Sequence, residues 1–205
     1  MADQLYLSLW YSNFRFAQLP LALERVLQQF AAIGGSDKVK AATVYPLSWR
    51  ESPVYQWVHS DKDPIEHAEP AHAIARATEL LHEDYAYEFE MNWELWVPQE
   101  QDSSTPAWKQ QARVVRVIGF GPQFDEGSFE QNGQIRVDLG DDSPFLHEDV
   151  AIDTQSAEYV KMNVMKLIDL TTAIQKNAGV ASRLLWSESG ENLAQKLIAR
   201  LQQLN

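Results

Sequence analysis

The side chains best equipped for chemistry fall in one stretch, Trp49-Arg50-Glu51-Ser52-Pro53-Val54-Tyr55-Gln56-Trp57-Val58-His59. It holds two indoles, a phenol, a guanidinium, a carboxylate and an imidazole within a few residues. Rings offer apolar area and faces that attract cations, and His59 with Glu51 has the groups for proton transfer near neutral pH. Ser52-Pro53 has the form of a helix cap followed by a first turn, so a short helical turn is expected to present Tyr55, Trp57 and His59. Trp49, Arg50, Tyr55, Trp57 and His59 are therefore the candidate ligand or partner residues. The competing reading is that Trp49 and Trp57 close one end of the core and leave His59 at the surface.

Other groupings carry less. His67 and His72 are five residues apart with Pro70 between them, which no zinc-protease motif allows and which one helix face would not bring to one ion. Glu79 and His82 have the Glu-x-x-His spacing of carboxylate-bridged dimetal sites, but such sites need a second copy and the chain has none. Asp138, Asp141, Asp142, Glu148, Asp149 and Asp153 crowd one segment without the ligand order or central glycine of an EF-hand loop. Gly119-Phe120-Gly121 follows an expected strand, yet Pro122 comes next, and no helix is expected there to offer its amides to a phosphate. No catalytic, cofactor-binding or metal-ligating residue is assigned.

Composition narrows the classes further. The 205 residues carry 17 Lys+Arg against 29 Asp+Glu, a formal net charge of -12. Nucleic-acid binding draws on cations placed against phosphates, and no basic cluster stands out, so a nucleic-acid reader and a binder of anionic membranes are both disfavoured. The acidity suits a basic partner, or simply solubility. Cysteine is absent, which removes disulfides and thiolate chemistry and fits a reducing compartment. No run approaches the roughly 20 apolar residues of a membrane helix, and Met1-Ala2-Asp3-Gln4 lacks the basic start of a secretory signal. The expectation is a soluble, cytoplasmic protein.

The elements that must position these residues are read from periodicity. Tyr85, Tyr87, Phe89, Met91, Trp93, Leu95 and Val97 alternate with Glu88, Glu90, Asn92 and Glu94, the period-two signature of a strand with one wet face. A first strand is expected from about Gln4 to Ser12 and a second from Val39 to Leu47. Between them Leu19, Leu23, Val26, Leu27, Phe30 and Ile33 form a helical stripe opened by Pro20 and stopped by Gly34-Gly35. Strand, helix, strand suggests a crossover unit with parallel strands. Pro70 is expected to open a helix with Ile74, Ala77, Leu80 and Leu81 on its buried side.

Pro98–Gln110 reads as a loop, Ala112–Gly121 as a central covered strand, and Pro122–Gly133 as turns before a strand with Ile135, Val137 and Leu139 inward. Across this three-stranded meander, Glu88, Glu90 and Glu94 would face Arg113 or Arg136. A helix capped by Asp153 or Thr154 is expected to bury Val160, Val164, Leu167, Ile168, Thr171 and Ile174. Ala181–Trp186 reads as a short strand or an apolar linker, and Ser189 caps a last helix with Leu193, Leu197, Ile198, Leu201 and Leu204 inward. The predicted fold is a single α+β domain over 1–205: a mixed, largely antiparallel sheet, helices mainly on one face, two helices at the C-terminus. The function expected is a protein-interaction or binding module, with a basic protein or a small molecule as the ligand. The alternative is a small-molecule binder or enzyme with a pocket near 49–59.

Overall fold

The computed structural model describes residues 2–60, 62–99, 107–146 and 154–190, together with 195–196 and 202. Seven strands form one sheet: β1 (Gln4–Trp10), β2 (Val39–Pro46), β3 (Tyr55–Val58), β4 (Tyr85–Gln99), β5 (Ala107–Phe120), β6 (Ile135–Asp141) and β7 (Ser182–Ser187). The helices are α1 (Leu19–Gly34), α2 (Pro70–Ala77), α3 (Ser128–Asn132), α4 (Ser143–Leu146) and α5 (Thr154–Asn177), and Phe16–Gln18 and Ile65–Ala68 are single 3-10 turns. The architecture is α+β, as periodicity predicts. No helix among the described residues is long and apolar enough to cross a membrane.

The strand order is β3-β2-β4-β5-β6-β1-β7, and every neighbouring pair is antiparallel. The sheet is therefore antiparallel throughout rather than mixed. β1 and β2 do run in the same direction, as a crossover requires, but β4, β5 and β6 lie between them. The length of α1 accounts for the gap. Its 16 residues reach about 24 Å at 1.5 Å per residue. Four strand spacings of about 4.8 Å span about 19 Å, so α1 is long enough to carry the chain across three strands.

Alternation decides the two faces. On the inner face Trp57, Ala42, Phe89, Val117, Val137, Leu7 and Leu185 lie opposite one another in a row across all seven strands. Phe89, Met91, Trp93 and Leu95 share one buried core with Ile135, Val137 and Leu139 and with the stripe of α1. Gly119 admits Leu19 and Leu23 of α1 against the sheet, because a Cβ there would stand 2.9 Å from Leu19 Cδ1. Gly133, at φ +83°, lets the start of β6 approach Leu9 so closely that a Cβ would sit 2.5 Å from the Leu9 carbonyl oxygen.

β4 outruns β2, whose last paired position is Val39 opposite Met91. Beyond it the free edge of β4 is satisfied by side chains of α5. Asn163 accepts from the Trp96 amide at 2.9 Å and donates to the Trp96 and Pro144 carbonyls at 2.8 Å each. The Lys166 ammonium donates to the Glu94 and Gly34 carbonyls at 2.7 and 3.1 Å, tying β4 to the end of α1.

Several expectations shift in detail. Tyr55–Val58 is a strand paired with β2, so Ser52-Pro53 caps no helical turn. α2 ends at Ala77, which leaves Leu80 exposed in the turn that follows and puts Glu79 and His82 off any helix. β4 and β5 extend into the stretch expected as loop, to Gln99 and from Ala107. Val114 and Arg116 on the outer face of β5 are exposed while Ile118 and Phe120 on that face are buried, so the strand is covered on both faces only toward its C-terminal end. In α5 Asn163 and Leu170 are buried, while Ile168 faces outward. Ser182–Ser187 is a strand, β7. The expected last helix with Leu193, Leu197, Ile198, Leu201 and Leu204, the Asp153 cap, and His147, Glu148 and Asp149 fall outside the described residues.

Candidate functional site

The outer face of the sheet is built by the alternate residues of the same strands. One row reads Gln56, Thr43, Glu88, Ile118, Arg136, Ser8 and Leu184 from β3 to β7. The next reads Val58, Ala41, Glu90, Arg116, Asp138, Tyr6 and Trp186. Charges on these rows pair locally: Arg116 Nε of β5 donates across to Glu90 Oε1 of β4 at 3.0 Å, and Arg136 Nε donates along β6 to Asp138 Oδ1 at 2.7 Å. Glu90 thus meets Arg116, not Arg113 or Arg136, because the β4–β5 register sets these two opposite. Arg113, on the inner face beside Trp93, pairs with Asp141 at 3.2 Å.

Rings run across this face as well. Trp186 packs on Tyr6 at 4.5 Å, and the Arg136 guanidinium lies 5.1 Å from the Tyr6 ring and 5.6 Å from the Phe120 ring. Phe120 and Phe124 belong to a second, small core with Ala86 and Ile118. Trp49 closes it, edge-on to Phe124 at 5.1 Å and to Tyr45 at 5.1 Å. The turn that carries Trp49 is pinned from two sides. Leu47, at the unusual φ of 58°, donates its amide to the Asp84 carbonyl and accepts from the Asp125 amide.

Next to Trp49 lies an open groove of about 390 Å³. Its origin is a difference in side-chain size. Ala41 and Thr43 on β2 are short, while Gln56 and Val58 on β3 and Glu88 and Glu90 on β4 stand higher on either side. Strands sit about 4.8 Å apart, so one strand of short residues leaves a trough about two spacings wide. Tyr45 and Trp49 wall one end and Arg116 lines the far side. Burial pushes the Glu88 carboxyl above its ordinary value, with Arg116 opposing and Glu90 adding to the rise. The Glu88 carboxylate makes no hydrogen bond and no ion pair among the described residues.

The five sequence candidates do not share one pocket. Trp49 is on the outer face, 37% exposed, at the groove. Tyr55 and Trp57 point to the inner face and pack against the main core. His59 follows β3, its ring 5.9 Å from Trp57 and its Nδ1 4.0 Å from Asp63, while Glu51 precedes the strand. Arg50 is exposed in the turn after Trp49. The strand conformation of 55–58 is what divides them, since alternate residues leave a strand on opposite sides. Of the groove residues, Ala41, Thr43 and Arg116 are not singled out by sequence, and Glu88 and Glu90 are read there only as wet-face acids facing Arg113 or Arg136. Their only signal is the placement of Ala41, Thr43 and Tyr45 on one face of β2.

The remaining clusters resolve into local pairs. His67 and His72 stack at 4.7 Å, brought together because the backbone extends at Glu69 between the 3-10 turn and α2. Asp138, Asp141 and Asp142 each turn to a different cation, Arg136, Arg113 and Lys196. Comparison of the chain with protein-family models, with curated proteins and with solved structures returned no match in any of the three.

Proposed function

We propose that this chain is a binding module that engages a basic protein partner through the outer face of its sheet. The observation that carries the reading is the composition of that face. It presents the rings of Tyr6, Trp186 and Trp49, the exposed Val58, Val114 and Leu184, and a mix of paired charges. Rings with neighbouring apolar groups and a polar surround are the make-up of recognition surfaces. The charge of -12 favours a partner of opposite sign. The absence of cysteine suits a cytoplasmic setting for that encounter. A second reading, a small molecule seated in the groove, has the groove volume on its side, since ligand pockets run from about 300 Å³ upward.

The test compares proteins retained by the immobilised wild-type chain with those retained by two lysine variants. Val58→Lys alters the outer face and Met165→Lys alters exposed α5. Partners that survive Met165→Lys, are lost on Val58→Lys and release as salt shortens the screening length from ~10 Å at 0.1 M to ~3 Å at 1 M support the reading. Retention that ignores Val58→Lys and salt overturns it. So does a metabolite that raises the melting temperature in wild type alone.

A further inference from the structure

We propose that the groove beside Trp49 is a receptor for an arginine side chain of the partner protein, with Glu88 as its carboxylate and Tyr45 and Trp49 as its stacking wall. This deepens the proposed function and rests on it.

The chain contains its own template for the contact. Arg136 sits between the Tyr6 and Phe120 rings and pairs with Asp138, so on this face a guanidinium is held by rings and a carboxylate together. The groove repeats the ring and carboxylate parts. Trp49 and Tyr45 stand edge to face at its end, and Glu88 lines its β4 side next to Thr43. The countercharge is missing. Arg116 is engaged by Glu90, so two carboxylates and one guanidinium leave one negative charge in the groove. A planar guanidinium can stack on a ring while its fork meets a carboxylate, which a lysine ammonium does less well. The trough is open at the surface, so a side chain can enter from a partner's main chain without a lid having to move.

Preorganisation supports the same assignment. The Trp49 turn is fixed by hydrogen bonds to Asp84 and Asp125, and its indole packs on Phe120 and Phe124. A ring already held in place loses little freedom when a cation docks on it.

The experiment is an amide and indole NMR titration of the full chain. The probes are a capped glycine-serine peptide with one central arginine, the same peptide with citrulline, and acetyl-arginine amide. The arginine peptide is expected to move the Trp49 indole and the Thr43 and Glu88 amides, while the citrulline peptide leaves them in place. Glu88→Gln should weaken binding roughly 10-fold, and Trp49→Ala roughly 2- to 5-fold. Glu79→Gln, remote from the groove, should change nothing. Amide dispersion reports that each variant is folded, and the isosteric Glu88→Gln keeps the test valid should Trp49→Ala unfold.

Equal binding of the citrulline peptide, unchanged affinity in Glu88→Gln, or no shifts at all would overturn the proposal. Acetyl-arginine amide binding as tightly as the peptide would overturn the assignment to a protein partner. Shifts confined to Tyr6 and Trp186 would remove the groove but keep the outer face as the binding surface. Shifts confined to α5 would remove both.

Discussion

Glu88 concentrates the tension between stability and binding in this molecule. On β4 it is paired with Thr43 and Ile118, its carboxylate is desolvated by burial, and the main opposing influence is the charge of Arg116. Burial therefore raises its proton affinity in the folded state above the ordinary value of 4.5. The linkage has a definite sign. Where the folded chain binds more protons than the unfolded one, stability falls as pH rises, so Glu88 lowers stability above its raised value and is neutral in effect below its ordinary one. Asp138, raised by burial against the pull of Arg136, acts in the same direction. Asp141 acts in the other. Burial alone would raise it, but the Ser143 hydroxyl and Arg113 bring it below the ordinary value, so its contribution is lost in stronger acid. Glu88→Gln removes only the first effect. Its melting temperature should exceed that of wild type at pH ~7, and the gap should close as pH falls below the ordinary carboxylate range near ~4. Thermal melts across that range check it, and a variant less stable than wild type at neutral pH would show that Glu88 is already well compensated.

At the scale of elements, the edge of β4 shows how side chains stand in for a missing strand. Asn163 is 1% exposed and uses both its oxygen and its amide nitrogen, toward the two backbone groups of Trp96 and the carbonyl of Pro144. Asn163→Ala leaves those groups short of partners and is expected to cost roughly 2–4 kcal/mol. Asn163→Asp keeps an acceptor for the Trp96 amide but turns lone pairs toward two carbonyl oxygens, so it should be at least as damaging. Urea unfolding measures both, and a loss under ~1 kcal/mol for Asn163→Ala would mean that water completes the edge at little cost.

The same scale explains what the sequence discloses. β1, β2, β4, β6, α1 and α2 are legible because a period of 2.0 or 3.6 is written locally in side chains that meet one core. β3 is not, because its alternation is only four residues long and Ser52-Pro53 imitates a helix start. The groove is hidden for another reason: Glu88 reads as one wet-face acid among several until the short Ala41 and Thr43 are placed beside it by pairing. Asn163 reads as a break in the stripe of α5 until the edge of β4 is seen.

Across the whole molecule, the sheet sets its first strand among its last ones. β1 lies between β6 and β7, so the first strand has no neighbour until residues 135–187 have been made. β7 in turn pairs, among the described residues, with β1 alone. α1 then joins the two ends of the sheet, with Leu19, Leu23 and Phe30 in the core shared by β1, β4, β5 and β6. Such long-range pairing is expected to slow folding, because ordering entropy is spent before the contacts that offset it can form. A chain cut to residues 1–133 keeps α1 and β2 to β5 but exposes Leu5, Leu7 and Leu9 of β1, together with the side of β5 that β6 covers. It should therefore show a poorly dispersed amide spectrum rather than a folded subdomain. In the intact chain, urea unfolding followed by far-ultraviolet circular dichroism and by tryptophan fluorescence should give one shared midpoint, since the indoles of Trp57 near one sheet edge and Trp186 at the other belong to the same sheet. Two separated midpoints, or a well-dispersed spectrum from residues 1–133, would show that the β3-β2-β4 side folds without β6 and β7.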